Sequence, residues 1–256
     1  MKSQPESVTK KQLEILTLLY RFRYLNRHHI QKFLNHKSHS LITTYLKDLT
    51  DRNIIGRHYS KTIPNIYRPA TYFLSLNSRP ILIEHGFDEA VLKRVYKEKD
   101  NSKAFQDHWL FIAELYFHFL ETAQKHKAKF QFLTATDLKN YAFTPLKQPD
   151  VYIVVKAKNE TKRYFLEVLN PSDPYFAVLS LVNKYIRYFE EGYWQNHYDY
   201  PFPKLLIIYP NLKAKKWLTR TIEEKFEEHD LEFPIFLANR KRIQNQGIDD
   251  QTWEAA

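Results

Sequence analysis

Two carboxylates occupy positions where they could hold a metal ion. Asp150 follows a proline and begins the apolar segment DVYIVVKA, and Glu167 lies inside the apolar segment YFLEVL. Because a buried carboxylate without a partner is costly, Glu167 is expected to face a polar pocket or an opposite charge. Paired hard oxygen ligands suit Mg²⁺ or Mn²⁺, which can activate water and offset charge on a scissile phosphate. The pair indicates metal-dependent phosphodiester cleavage, although proline followed by aspartate is also ordinary turn chemistry.

The residue two positions after Glu167 bears on how complete such a site is. Side chains two apart on a strand share a face, and this position holds Leu169 rather than a lysine. A lysine would orient the attacking water or offset phosphate charge, and leucine does neither. Lys184, on the flank of the next predicted helix, is a candidate for a displaced lysine. The alternative is a surface lysine that snorkels, and Tyr185 and Tyr188 are assigned to packing.

The predicted elements around these residues alternate between helices and strands. A helix in AFQDHWLFIAELYFHFLETAQKH precedes strands in KFQFLTATDL, DVYIVVKA and KRYFLEVLN. A helix in YFAVLSLVNKYIRYFEEG, a buried strand in PKLLIIYP, a helix in AKKWLTRTIEEKFEEHD and a strand in FPIFLAN follow. The order αβββαβ, extended by αβ, predicts a mixed sheet with helices on both faces, in the α/β (α+β) class. A three-strand meander of this kind can bring Asp150 and Glu167 together at one end of the sheet.

Composition excludes several classes of protein. The 256 residues are 43% hydrophobic, which is enough for a packed core. No cysteine is present, so disulfides and cysteine-ligated metals are excluded, and only 4 glycines occur, too few for a phosphate-binding glycine loop. No apolar run approaches the ~18–20 residues of a membrane span, and the polar N-terminus lacks a signal peptide. A cytoplasmic protein with no membrane partner is expected.

Positive charge is concentrated in the first third of the chain. The protein has 39 basic and 29 acidic residues, and residues 1–79 hold 14 of the former and 4 of the latter. The whole net charge of +10 therefore lies in this part. A solvated basic face is one interpretation, but confinement to one domain favours a polyanion partner, namely double-stranded DNA.

The first third has the pattern of a winged helix-turn-helix. Helices are predicted in TKKQLEILTLLYRFR, LNRHHIQKFLNH and LITTYLKDLTDRNII, and strands in IIGRHYSK and NIYRPATYFLSL, joined by the turn TIPN. In this motif the third helix enters the major groove and the wing touches the flanking backbone. The candidate DNA-contacting residues lie on the outer face of the third helix or in the wing: His39, Thr43, Thr44, Lys47, Arg57, Lys61 and Arg68. The alternative is a winged helix that packs only against protein.

These patterns divide the chain into four predicted parts. Residues 9–79 form the winged-helix domain, and residues 80–103 form a connecting helix and a charged surface linker. Residues 104–239 form the second domain. Residues 240–256 have little pattern and are expected to be a loose tail.

The chain as a whole resembles the replication-relaxation family, and its second half is similar to PD-(D/E)XK nucleases. The matching segments span about residues 9 to 238 and are LITTYLKDLTDRNIIGRHY, YFLSL, DHWLFIAELY, PD, YFLEV and NKYIRYFEEGYW. The resemblance implies that Asp150 and Glu167 bind Mg²⁺ or Mn²⁺ and that the protein serves a plasmid or another mobile element. His108 matches a histidine expected in the family, and a core histidine is the alternative.

Three functions remain open at this point. The first is a DNA-binding protein that nicks DNA, and the second is a DNA-binding transcriptional or replication regulator with an inactive nuclease-like domain. The third, a protein-interaction adaptor, is disfavoured by the segregated charge. Leu169 favours the second function unless Lys184 replaces the missing lysine. The expected partners are double-stranded DNA and replication or relaxation proteins, and a homodimer is also left open.

Overall fold

The computed structural model describes residues 7–59, 69–158, 160–249 and 251–256. The chain divides into two compact units, Met1–Glu114 and Leu115–Ala256. The division falls inside helix α6 (Lys103–Lys125), whereas the predicted boundary, between residues 103 and 104, lies at the start of this helix. The predicted domain limits stay a prediction. Among the described residues, no helix combines the length and apolarity that crossing a bilayer requires.

The first unit combines short helices with a small antiparallel sheet. Its helices before α6 are α1 (Lys10–Phe22), α2 (Arg27–Phe33), α3 (His39–Asp51), α4 (Ser78–Glu84) and α5 (Glu89–Leu92), followed by a 3-10 helix (Lys93–Asp100). Its strands are β1 (Leu25–Asn26), β2 (Ile55–His58) and β3 (Thr71–Leu74). The strand order is β1-β3-β2, with both pairs antiparallel. Three helices with a wing made of β2 and β3 confirm the predicted winged helix-turn-helix.

Local signals explain where the three helices of this motif begin. The Thr9 side chain and Gln12 form a reciprocal capping box at the start of α1. Asn26 caps α2 through its side-chain oxygen, and Ser38 caps α3 in the same way. The apolar faces of α1 and α3 then form the core of the motif, which includes the fully buried Ile15, Leu16, Leu19, Phe22, Ile42 and Leu49. The predicted TIPN turn lies outside the described residues.

The segment predicted as a charged surface linker is more ordered and more buried than expected. The predicted connecting helix corresponds to α4, whereas the charged stretch after it forms the end of α5 and the 3-10 helix, within which Glu98 is buried. The Glu98 carboxylate accepts hydrogen bonds from Arg23 at 2.8 and 3.1 Å and from Arg94 at 3.3 Å. The prediction of an exposed linker was therefore wrong at this glutamate, because its partner Arg23 lies at the distant end of α1.

The second unit is built on one six-stranded mixed sheet. Its strands are β4 (Lys129–Thr134), β5 (Val151–Lys156), β6 (Thr161–Val168), β7 (Lys204–Tyr209), β8 (Ile235–Asn239) and β9 (Glu254–Ala255), in this spatial order. Its helices after α6 are α7 (Tyr175–Glu190), α8 (Tyr193–His197), α9 (Leu212–His229) and α10 (Arg240–Gln246), and a 3-10 turn spans Asp137–Asn140. Strands β4, β5 and β6 are antiparallel, and β6, β7 and β8 are parallel. The predicted order αβββαβ with a mixed sheet is confirmed.

The prediction of a loose tail after residue 239 was wrong. Asn239 caps α10 through its side chain, and β9 pairs antiparallel with β8, with Phe236 opposite Ala255. Between them, the buried Thr252 donates its hydroxyl to Asp249 at 2.7 Å. The order of this segment comes from the pairing of β9 with β8. A strand of only two residues leaves little signal in the sequence.

Helices α7 and α9 pack together on one face of the sheet and cover its core. The core cluster on this face includes Phe165 of β6 together with Leu169, Val178 and Val182. Since alternate residues of a strand share a face, Glu167 lies between Phe165 and Leu169 on the side of the sheet that α7 covers. The helix that follows β6 is therefore the element able to bring partners to Glu167.

Candidate functional site

The strand register places the two predicted carboxylates opposite each other. In the antiparallel pair of β5 and β6, Val151 lies opposite Leu166, so the next step along the ladder sets Asp150 across from Glu167. The Asp150 carboxylate accepts a hydrogen bond of 2.8 Å from the Val168 N–H, which fixes it at this end of β6. The structure thus brings together two carboxylates that are 17 positions apart in the sequence.

Two residues of α7 approach the same glutamate. Lys184 donates a hydrogen bond from Nζ to Oε1 of Glu167 and forms a partly buried ion pair with it. The Tyr185 hydroxyl donates to the same oxygen at 2.6 Å, while its ring is completely buried. The Lys184 ammonium also lies 4.6 Å from the centroid of the Tyr185 ring. The lysine missing at position 169 is therefore matched by an ammonium that reaches the carboxylate from the following helix.

The electrostatics of the cluster disfavour a negative charge on Glu167. Burial raises its pKa, the Lys184 ammonium acts in the opposite direction, and the neighbouring Asp150 raises the pKa further. Hydrogen bonds from Lys184 and Tyr185 lower it, and the net direction remains upward. Burial and the adjacent glutamate also raise the pKa of the Tyr185 hydroxyl well above its usual range. A further positive charge near the two carboxylates would stabilise their negatively charged forms.

The donor set fits a hard divalent cation that shares its coordination with a substrate. Both hydrogen bonds to the Glu167 carboxylate go to Oε1, and among the described residues none goes to Oε2. No group of three or more His, Cys, Asp or Glu residues able to hold a metal occurs in the described part of the chain. Mg²⁺ is commonly held by one or two carboxylates together with water and substrate phosphate. Asp150 and Glu167 match that arrangement rather than a closed protein cage.

A surface cavity is lined in part by two members of this cluster, Glu167 and Lys184. Its volume is about 700 Å³, and the residues that matter for its chemistry are Lys147, Glu167, Phe176, Lys184 and Arg187. Leu169 contributes instead to the apolar core, where it is buried. Leu169, which stands where a lysine was expected, is therefore a packing residue. The positively charged group near Glu167 is Lys184 of α7.

The structure places most of the predicted DNA-contacting residues on exposed surface of the first unit. His39, Thr43, Thr44 and Lys47 are exposed on α3, and Arg57 is exposed on β2. The two threonine hydroxyls donate to carbonyls one turn earlier in the helix, each at 3.1 Å. Lys47 forms an ion pair with Asp51 at 2.5 Å, with both side chains exposed.

Two further predicted wing residues, Lys61 and Arg68, lie outside the described residues. His108 is buried in the first unit, and its ring centroid is 6.3 Å from that of Trp109. A catalytic role for His108 stays a prediction.

Sequence reasoning missed the contribution of Tyr185. The periodicity of α7 correctly assigns its ring to the buried face, but packing alone does not account for the hydroxyl on Glu167. The available signal was chemical, because a buried tyrosine usually finds a polar partner for its hydroxyl.

The described chain thus combines a winged-helix unit with a mixed α/β unit whose sheet carries paired carboxylates. A family model described as replication-relaxation matches residues 16–204. Because this match covers well over half of the sequence, the chain belongs to the replication-relaxation family. No curated protein matches the chain.

Several solved structures show limited similarity. The zinc-responsive MarR family member ZitR of Lactococcus lactis is 20% identical, with a TM-score of 0.27 over 49% of this chain and 82% of ZitR. The adhesin competence repressor AdcR of Streptococcus pyogenes is 23% identical, with a TM-score of 0.28 over 47% of this chain and 86% of AdcR. The restriction endonuclease FokI bound to DNA is 13% identical, with a TM-score of 0.33 over 91% of this chain and 43% of FokI. These scores are low, and the fold described above rests on the topology of this chain alone.

Proposed function

We propose that this protein binds double-stranded DNA through its winged-helix unit and carries a metal-dependent, nuclease-like nicking site in its second unit. The observation that carries the proposal is the convergence of Lys184 on Glu167, with Asp150 opposite in the strand register. A carboxylate pair with a neighbouring lysine is the set of groups expected of a PD-(D/E)XK site. Membership of the replication-relaxation family supports a role in replication or relaxation of a plasmid or mobile element.

Each residue of the cluster has a distinct task in this proposal. Asp150 and Glu167 would hold Mg²⁺ or Mn²⁺, which when bound would supply an activated water and offset charge on the scissile phosphate. Val168 fixes the Asp150 carboxylate through its backbone N–H, and Tyr185 fixes Oε1 of Glu167. Lys184 exchanges part of its contact with Glu167 for a phosphate oxygen or the attacking water. Its partly buried ammonium favours this exchange, because few water molecules compete for it.

A plasmid relaxation assay tests the nicking site. The native protein is expected to convert supercoiled plasmid to the open-circular form only with Mg²⁺ or Mn²⁺. Asp150→Ala and Glu167→Ala each remove a metal ligand and are expected to lower the rate at least about a hundredfold, which corresponds to several kcal/mol of transition-state stabilisation. Lys184→Ala is expected to follow them, and Lys216→Ala, which removes an exposed lysine on α9, serves as the matched control. Equal rates for native protein and the carboxylate variants would exclude the nicking site.

DNA binding is tested separately by its salt dependence. Lys47→Ala is expected to reduce the slope of log affinity against log salt by about 0.9, because one phosphate contact is lost. Asp51→Ala is the informative counterpart, since it releases Lys47 from its ion pair and removes a negative charge, so duplex affinity should rise. Affinity that does not respond to salt would favour the protein-interaction adaptor over a DNA-binding protein.

A second candidate function is a DNA-binding regulator with an inactive second unit. The observation that favours it is that Lys184 and Tyr185 both donate hydrogen bonds to Glu167, while Leu169 is buried in the core. In this case the lysine neutralises the carboxylate permanently instead of serving a substrate. Calorimetric titration separates the two, because the nicking site requires Mn²⁺ binding that is lost in Glu167→Gln. Salt-dependent duplex binding without any Mn²⁺ binding or nicking would support the regulator.

A further inference from the structure

The cavity beside Glu167 has features that an intact duplex cannot use. We infer that this cavity binds an unpaired strand of nucleic acid, with a base against Phe176 and its phosphates along Lys147 and Arg187. The inference rests on the proposed function, because the same strand would present a phosphate to Asp150 and Glu167. It adds a substrate class to that site, namely DNA with melted, frayed or single-stranded segments.

The first observation is the exposed apolar surface at the cavity. Phe176 is 71% exposed at the start of α7, and Leu146, which also lines the cavity, is completely exposed. An exposed ring can stack on a nucleobase of any sequence. In a duplex both faces of each internal base are covered by its neighbours, so only an unpaired or terminal base can offer a face to Phe176.

The second observation is the positive charge next to this ring. Lys147 and Arg187 are exposed and line the same cavity. Neither forms an ion pair within the described part of the chain, whereas Lys184 is engaged by Glu167. Glu191 is the other acidic residue in the lining, so the two basic residues outnumber it. Cationic side chains beside an exposed aromatic ring form the usual surface for single strands.

The third observation is the size of the cavity. Its volume of about 700 Å³ lies within the roughly 300–1,000 Å³ of ordinary ligand pockets. Such a volume suits one or two nucleotides of one strand. Enzymes that act on bases inside a duplex commonly move a nucleotide out of the stack, because their active-site pockets admit a single nucleotide and not a base pair. The size therefore favours an unpaired strand over a base-paired segment.

Fluorescence anisotropy with the full chain tests the inference. The probes are a labelled single-stranded 20-mer and a duplex of the same sequence, both in EDTA so that cleavage cannot occur. Phe176→Ala is expected to weaken single-strand binding about tenfold, from the loss of one stacked base, and to leave duplex binding unchanged. Lys147→Ala should reduce the single-strand salt slope by about 0.7. Leu212→Ala removes an exposed apolar side chain of α9 outside the cavity lining and should change neither probe.

The outcomes separate this inference from the proposed function. Duplex binding with no effect of Phe176→Ala on the single strand overturns the inference alone. An equal loss for both probes also overturns it, because the cavity would then not distinguish strands. A dimer in sedimentation that Phe176→Ala dissociates would assign the surface to a second copy of the chain. If the single-strand effect appears while plasmid nicking is absent, the inference stands and the catalytic proposal fails.

Discussion

Each unit of the chain buries a glutamate, and the two differ in what surrounds the carboxylate. Glu98 in the first unit is 2% exposed and Glu167 in the second is 8% exposed. Glu98 accepts hydrogen bonds from two arginines and from Asn101 at 3.1 Å. Glu167 accepts hydrogen bonds from one lysine and one tyrosine, and it also faces Asp150. In the first unit two guanidiniums pair with one carboxylate, whereas in the second unit one ammonium pairs with Glu167 and a second carboxylate, Asp150, lies opposite.

This difference separates a carboxylate that holds structure together from one suited to chemistry. Bidentate arginine pairing, as Arg23 makes with Glu98, is among the strongest ways to compensate a buried charge. The Arg23 guanidinium also lies 4.5 Å from the centroid of the Phe105 ring, which fixes it further. A second carboxylate beside Glu167 adds repulsion that stability does not require. Arrangements of this kind concentrate at functional sites, and this supports the proposed role of Glu167.

The largest expected effect is on the stability of the first unit. Glu98→Ala leaves two partly buried guanidiniums without their carboxylate, and the free energy of unfolding is expected to fall by about 3–5 kcal/mol. Urea denaturation followed by tryptophan fluorescence measures the change. Glu89→Ala is the matched control, because its exposed contact with Arg79 at 3.6 Å should contribute less than about 1 kcal/mol. A loss no larger than that of the control would show that Glu98 is not structural.

The raised pKa of Glu167 should make the stability of the protein fall as the pH rises. Its raised pKa means that, above pH 4.5, the folded state retains a proton that the unfolded state has already released. The stabilisation from this group is therefore complete below pH 4.5 and is lost as the pH rises through the folded pKa. Melting temperatures between pH 4 and 8 should decline less in Glu167→Gln than in the native protein. Parallel curves for the two proteins would contradict the raised pKa.

The smallest expected effect follows from removing one hydroxyl. Tyr185→Phe deletes the hydrogen bond to Glu167 and is expected to lower stability by about 0.5–1.5 kcal/mol. Because that bond lowers the pKa of Glu167, its loss should raise the pKa and move Mn²⁺ binding to higher pH. Calorimetric titrations of Mn²⁺ at several pH values detect the shift. Tyr188→Phe is the control, since its hydroxyl donates to the Phe143 carbonyl instead.

Sequence patterns predicted the surroundings of Glu167 better than those of Glu98. Alternation along β6 and helical periodicity in α7 were sufficient to select Glu167 and Lys184, because both patterns are local. Glu98 was missed because its partner Arg23 is 75 positions away and no periodicity links the two. The pairing of β9 escaped prediction for a similar reason, since a two-residue edge strand takes its order from β8. Which charges meet in space depends on the folded topology, and short patterns report only one face of one element.

The position of α6 affects how the protein can be divided for experiments. A fragment that ends at residue 103, where sequence patterns place the domain boundary, would lack Phe105 and Trp109. The Arg23 guanidinium lies 4.5 and 5.4 Å from the centroids of these two rings. Such a winged-helix fragment would therefore expose the arginine that pairs with Glu98. A fragment extended through residue 125 keeps the complete helix and is the better starting point for testing the two proposed activities separately.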